Sequence, residues 1–127
     1  MITPKKIDHI CLQVSDLNRS KKYYENLFGA KCWFREDNYK MLVVETKGVH
    51  FFLAESKANQ EFLSNQHLSL QVENLEEVIS ILDALNITDY ETGIIDFFEH
   101  ENYRWCEWRD PDNIRLECVE PITNLNT

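Results

Sequence analysis

The chain has no apolar run near the roughly 18 residues that a membrane-spanning helix needs. No apolar core follows the two lysines of its opening "MITPKKIDHI". Neither a span nor an export signal is therefore expected, and the cytoplasm is the expected compartment. It also lacks any C-x-x-C spacing. Its four cysteines, Cys11, Cys32, Cys106 and Cys118, are expected to stay reduced there. Positive charge is scarce, with 13 basic residues against 22 acidic ones and a formal net charge of −9. Phosphate backbones and anionic membranes both require a positive face, so nucleic acid and membrane surfaces are excluded as expected partners. The acidic balance suits solubility, and it also suits a cationic ligand or a metal ion.

What remains is a globular composition, 43% hydrophobic and 28% charged. A length of 127 residues makes one domain of ordinary size, or two small halves sharing a core.

The chain writes one phrase twice, "HICLQVSDL" at 9–17 and "HLSLQVENL" at 67–75. His, Leu, Gln, Val and Leu are identical at matched positions, and the other four are conservative. A helix follows each copy. In the first, Asp16 is the candidate N-cap, Leu17, Tyr23, Tyr24, Leu27 and Phe28 recur at helical spacing, and Gly29 is a natural stop. In the second, Asn74 with Glu77 resembles a capping box, and Leu75, Val78, Ile79, Leu82 and Leu85 form the predicted buried stripe. Short strands come next, predicted at 31–36, 39–46 and 49–55, then at about 88–96, 103–109 and 114–120. "DPDN" at 110–113 marks a hairpin turn, 56–65 reads as a linker, and within 92–102 pattern alone does not separate strand from loop. Each half is thus expected to be β-α-β-β-β.

Period-two alternation divides the first strand of each half into two faces. Ile10, Leu12 and Val14 form an apolar face, as do Leu68, Leu70 and Val72. The opposite faces carry His9, Cys11 and Gln13, and His67, Ser69 and Gln71. A surface role explains either histidine alone, but the duplication at one strand position favours a site. The last strands also repeat: "VHFFLAES" aligns with "IRLECVEP", which sets Phe52 at the position of Glu117. Glu117 lies mid-strand on the polar face, where pairing with Arg115 or coordination of a cation explains it. Trp108 alternates onto the packing face.

In "DHICLQVSDL", "YYENLFGAK", "HLSLQV" and "DPDN..LECVE" the chain resembles, over essentially its whole length, the vicinal oxygen chelate superfamily. That superfamily includes glyoxalase I, bleomycin-resistance proteins, fosfomycin-thiol transferases and extradiol dioxygenases. The resemblance implies an α+β fold in which two βαβββ modules, at about 5–56 and 65–121 of a single domain, form an open curved sheet around a central cleft. It places the family's metal positions on His9, Phe52, His67 and Glu117. Phe52 is not a ligand and departs from the glyoxalase I pattern, leaving a set of two histidines and one carboxylate. Such a set suits a divalent ion, with Fe, Mn, Ni and Zn not distinguished. It implies an enzyme in which a small-molecule substrate with two adjacent oxygens chelates the metal, in lyase, thiol transferase or dioxygenase chemistry.

Glu107 and Tyr103, which share a strand face with Trp105 between them, are the candidate catalytic groups for proton movement. Phe52, Gln13, Gln71 and Trp105 are the candidate lining of the substrate cleft. A phosphonate substrate would lack its usual basic clamp, and the paired cysteines expected of carbon–arsenic lyases are absent. The alternative is a binder without chemistry, similar to the bleomycin-resistance proteins, trapping a cationic or aromatic drug against Trp33, Phe34, Phe52, Trp105 and Trp108. The family further implies a homodimer.

Overall fold

The computed structural model describes residues 1–97 and 101–122. The chain divides into two compact units, Met1–Leu63 and Ser64–Thr127. Unit 1 contains β1 (Cys11–Val14), α1 (Leu17–Phe28), β2 (Lys31–Arg35), β3 (Asn38–Glu45) and β4 (His50–Glu55), and a short helix, α2 (Gln60–Ser64), crosses into unit 2 at its last residue. Unit 2 contains β5 (His67–Gln71), α3 (Leu75–Ala84), β6 (Glu91–Phe97), β7 (Glu101–Arg109) and β8 (Arg115–Ile122). Both units build the same four-stranded mixed sheet, ordered β1-β4-β3-β2 and β5-β8-β7-β6. In each the first strand pairs parallel with the last, and the remaining pairs are antiparallel. The fold is thus α+β, with two βαβββ modules.

Local chemistry explains the elements. Asp16 accepts the Arg19 N–H at 3.1 Å to open α1, and Gly29 closes it with φ 60°, a left-handed conformation that glycine adopts freely. Asn74 accepts the N–H groups of Glu76 and Glu77 to open α3. A second device, shared by both modules, was not legible beforehand. The Leu17 N–H meets Glu55 Oε1 at 3.5 Å, and the Leu75 N–H meets Glu120 Oε1 at 2.7 Å. A carboxylate from the last strand thus takes an N–H that the helix itself leaves unpaired.

Each helix covers one face of its own sheet. In unit 1, Leu12, Val14, Tyr24, Leu42, Val44, Phe51 and Leu53 are buried, with the Tyr24 and Phe51 rings edge-on at 5.7 Å. In unit 2, Leu68, Leu82, Cys106, Trp108, Ile114, Leu116 and Cys118 are buried. The DPDN turn forms as expected: Asp110 Oδ1 accepts the N–H groups of Asp112 and Ile114 at 2.8 and 2.9 Å.

Three expectations shift. Leu85 is 38% exposed rather than part of the buried stripe, because α3 ends at Ala84 and Leu85 becomes its cap. The segment read as a linker holds α2, with Leu63 buried. Strand β6 begins at Glu91, and within the ambiguous 92–102 segment residues 92–97 and 101–102 are strand, while 98–100 lie outside the described residues. Among the described residues no helix is long and apolar enough to cross a membrane.

Candidate metal and substrate site

The face of each sheet turned away from its helix carries the residues singled out by the repeat. In unit 2 the register sets Ser69, Glu117, Glu107 and Glu91 in one row across β5, β8, β7 and β6. Glu107 and Glu117 are therefore directly opposed, an arrangement that two carboxylates tolerate only with cations nearby. Glu107 has its own. Arg115 donates from Nε to Oε1 at 2.9 Å and from Nη2 to Oε2 at 2.8 Å, a two-pronged clasp. This hydrogen-bonded guanidinium holds the Glu107 carboxyl below its ordinary range of about 4.5. The sequence left Arg115 as a partner for Glu117 on the same strand. The structure instead sends it diagonally across to β7, because Arg109 stands directly opposite it and Glu107 lies one diagonal step away.

Glu117 is left facing His67, with Oε1 and Nε2 3.4 Å apart. Histidine is a full cation only when protonated. The Glu117 side chain, 17% exposed, therefore has room for a positive charge that Arg115 gives to its neighbour. Nitrogen and oxygen ligands lie about 2.1 Å from a bound first-row ion, so two ligands of one ion stand about 3.0 Å apart at a right angle and about 3.4 Å at the tetrahedral angle. The pair fits a single divalent ion. It supplies two donors. Among the described residues no group of three or more His, Cys, Asp or Glu side chains is placed to hold a metal.

His67 and Glu117 open into a cavity of about 570 Å³, together with Gln71, Tyr103, Trp105 and Glu107. Five of the residues expected at the site besides Glu117 are thus brought together in unit 2. Ser69, Ile95, Arg115 and Val119 also line it, and sequence reasoning did not list them as site residues. Ser69 and Val119 follow from alternation, whereas Ile95 and Arg115 require the cross-strand register.

The other expected residues belong to unit 1. His9 precedes β1, and its Nδ1 meets Asp8 Oδ2 at 2.8 Å. That bond holds the Asp8 carboxyl below its ordinary range and orients the ring, a device common behind metal-ligating histidines. The His9 ring lies 4.5 Å from Phe52. Phe52 stands opposite Cys11, two residues after His9, as Glu117 stands opposite Ser69, two residues after His67. The alignment of Phe52 with Glu117 is therefore correct in register. Gln13 pairs with Ala54 on the same sheet.

The chain belongs to the glyoxalase/bleomycin resistance protein/dioxygenase superfamily, whose family model matches residues 6–118. It is 31% identical over 103 residues to the trivalent organoarsenical cleaving enzyme of Bacillus sp. strain MD1, a match over 80% of this chain and 60% of that protein. It is 35% identical over 77 residues to a probable trivalent organoarsenical cleaving enzyme of Bacillus subtilis strain 168, over 58% of this chain and 50% of that one. The chain thus spans between half and three-fifths of the length of these relatives. Among solved structures it is similar in fold to the fosfomycin resistance protein FosX of Listeria monocytogenes, complexed with Mn(II) and sulfate. The TM-score is 0.64 at 19% identity, covering 94% of this chain and 93% of that one.

Proposed function

We propose that this protein is a divalent-metal-dependent enzyme acting on a small molecule that chelates the ion. Its two relatives point to cleavage of an organoarsenical as the reaction to test, although the paired cysteines expected of carbon–arsenic lyases are missing. The observation that carries the reading is the His67–Glu117 pair at 3.4 Å, opening into a cavity large enough for a small substrate. His67 and Glu117 are the ligands that unit 2 supplies, and His9, oriented by Asp8, is the candidate ligand of unit 1. The bound ion would supply a Lewis acid or a site for dioxygen activation. The chain's own residues do the rest. Tyr103 and Glu107, four residues apart on one face of β7, are placed to pass a proton to or from a substrate in the cavity. Gln71 offers hydrogen bonds beside the metal pair, and Trp105, Ile95 and Val119 wall off water. Phe52 and Gln13 are the corresponding cleft residues of unit 1, and a homodimer in the cytoplasm is the setting that family membership favours.

The test is metal analysis of the purified protein beside its His67→Ala and His9→Ala variants, followed by incubation with methylarsonous acid. About one equivalent of Fe, Mn, Ni or Zn per chain, lost in the His67→Ala variant, is the expected result, and the His9→Ala variant reads separately whether unit 1 holds metal. Release of inorganic arsenite by the wild type alone then assigns the reaction. Absence of metal after reconstitution overturns the enzyme reading in favour of ligand trapping. Full metal without arsenite release keeps the metal centre and removes the arsenical.

A further inference from the structure

Gly93 lies on β6, the edge strand of unit 2, directly opposite Trp105. A Cβ at Gly93 would stand 2.6 Å from Cζ2, 2.8 Å from Cε2 and 3.0 Å from Nε1 of the Trp105 indole. Those separations are well inside van der Waals contact, so no side chain fits while the indole keeps its place. Gly93 is not among the positive-φ glycines, which are Gly29 and Gly48. Its backbone needs no glycine, and a glycine inside a strand weakens it. The one thing it provides is space, and the indole occupies that space.

The position of the indole shapes the cavity. Laid across Gly93, Trp105 extends onto the β6 edge and leaves the cavity open in front of it. Ile95 pairs with Tyr103, and Val119 pairs with Trp105, so these four form a continuous wall of aliphatic and ring surface at one end. At the other end stand His67 and Glu117. Glu117 and Val119 are two residues apart on β8, or about 6.6 Å along the strand, which is close to the depth of one planar six-membered ring beyond a chelating group.

We infer that Gly93 and Trp105 together form a ring-selective platform, which gives this site a preference for chelating molecules that carry a planar aromatic ring beside the chelating group. Gly93 is a specificity-determining residue that acts through Trp105. The inference rests on the metal-site reading above, and its test separates the two.

Two chelators with the same pair of adjacent oxygens, benzohydroxamate and acetohydroxamate, are titrated into the metal-loaded protein. The wild type should favour benzohydroxamate by about tenfold or more, the scale expected for one well-packed ring. Gly93→Ala and Trp105→Ala should each bring that ratio close to one. In Gly93→Ala, metal content and acetohydroxamate affinity should stay as in the wild type. In the metal-free protein, Gly93→Ala should alter the same near-ultraviolet dichroism bands that Trp105→Phe removes, which shows that the indole has moved. A ring preference that survives either substitution overturns the platform. So does binding of both chelators with no ring preference, and that result leaves the metal site intact. If neither chelator binds the loaded wild type, the reading of this site as one for chelating substrates fails and takes the platform with it.

Discussion

Arg115 clasps Glu107 across the β7–β8 pair with two parallel hydrogen bonds of 2.9 and 2.8 Å, so the carboxylate directly opposite Glu107, that of Glu117, is left to His67. This division of charge leaves Glu117 the carboxylate open to a further cation, while that of Glu107 is held ionised by Arg115. Without Arg115, two opposed carboxylates would compete for the same cation.

The clasp has a pH signature. The Arg115 side chain is 40% exposed and solvent screens the pair, so a double-mutant cycle of Glu107→Gln with Arg115→Met should give a coupling of about 1 kcal/mol at pH 7. The carboxyl is held below its ordinary value in the folded state. Its contribution is therefore fully present above the unfolded value near 4.5 and is lost as pH falls through the lowered folded value. Denaturant unfolding should show the coupling intact at neutral pH and shrinking only below that unfolded value. A coupling that grows on acidification contradicts the assignment.

The shared carboxylate device at the helix starts makes an unequal prediction. Glu120 accepts the Leu75 N–H at 2.7 Å, and Glu55 meets the Leu17 N–H at only 3.5 Å. Glu120→Ala should cost about 1–2 kcal/mol, the range for an orphaned, part-buried N–H, and Glu55→Ala clearly less. Glu120→Gln keeps an acceptor and should recover most of the loss. Equilibrium urea unfolding of the three variants checks the order.

Much of this was legible in the sequence. The duplicated phrase announced two equivalent modules, period-two alternation put His67, Gln71 and Glu117 on the face away from the helix, and the aligned last strands placed Phe52 opposite the Glu117 position correctly. What escaped depends on register and short range. Arg115 was readable as polar, but its partner is fixed by which residue of β7 stands one diagonal step away. Gly93 carried a signal, since a glycine inside a strand pattern marks a close approach, yet its partner Trp105 follows only from the β6–β7 pairing. Helix α2, at five residues, is too short for helical periodicity to register.

The four cysteines should differ sharply in reactivity. Burial pushes the Cys106 thiol up to about 11 and Cys118 up to about 12, and both stand on the packed face of β7 and β8. Cys32 is half-buried and also raised to about 11, while Cys11 is exposed. A raised thiol has little thiolate at pH 8, and thiolate is the reacting form. Titration of the folded protein with an aromatic disulfide reagent should modify Cys11 first and leave Cys106 and Cys118 until denaturant is added. Early modification of Cys118 would place it outside the core.

Phe52 offers the most direct test of the repeat. It occupies in unit 1 the register position that Glu117 occupies in unit 2, and its ring lies 4.5 Å from that of His9. Phe52→Glu should therefore write a second histidine–carboxylate pair into β4, copying His67 and Glu117 with donors on neighbouring strands. Because Phe52 is on the face away from α1, the core residues Phe51 and Leu53 keep their packing, and the variant should fold. Isothermal titration with Mn(II) or Zn(II) should then show tighter binding than the wild type, and His9→Ala in the same background should abolish the gain. Unchanged affinity in Phe52→Glu, with the fold verified by circular dichroism, would mean that the symmetry of the strands does not extend to the donors they carry.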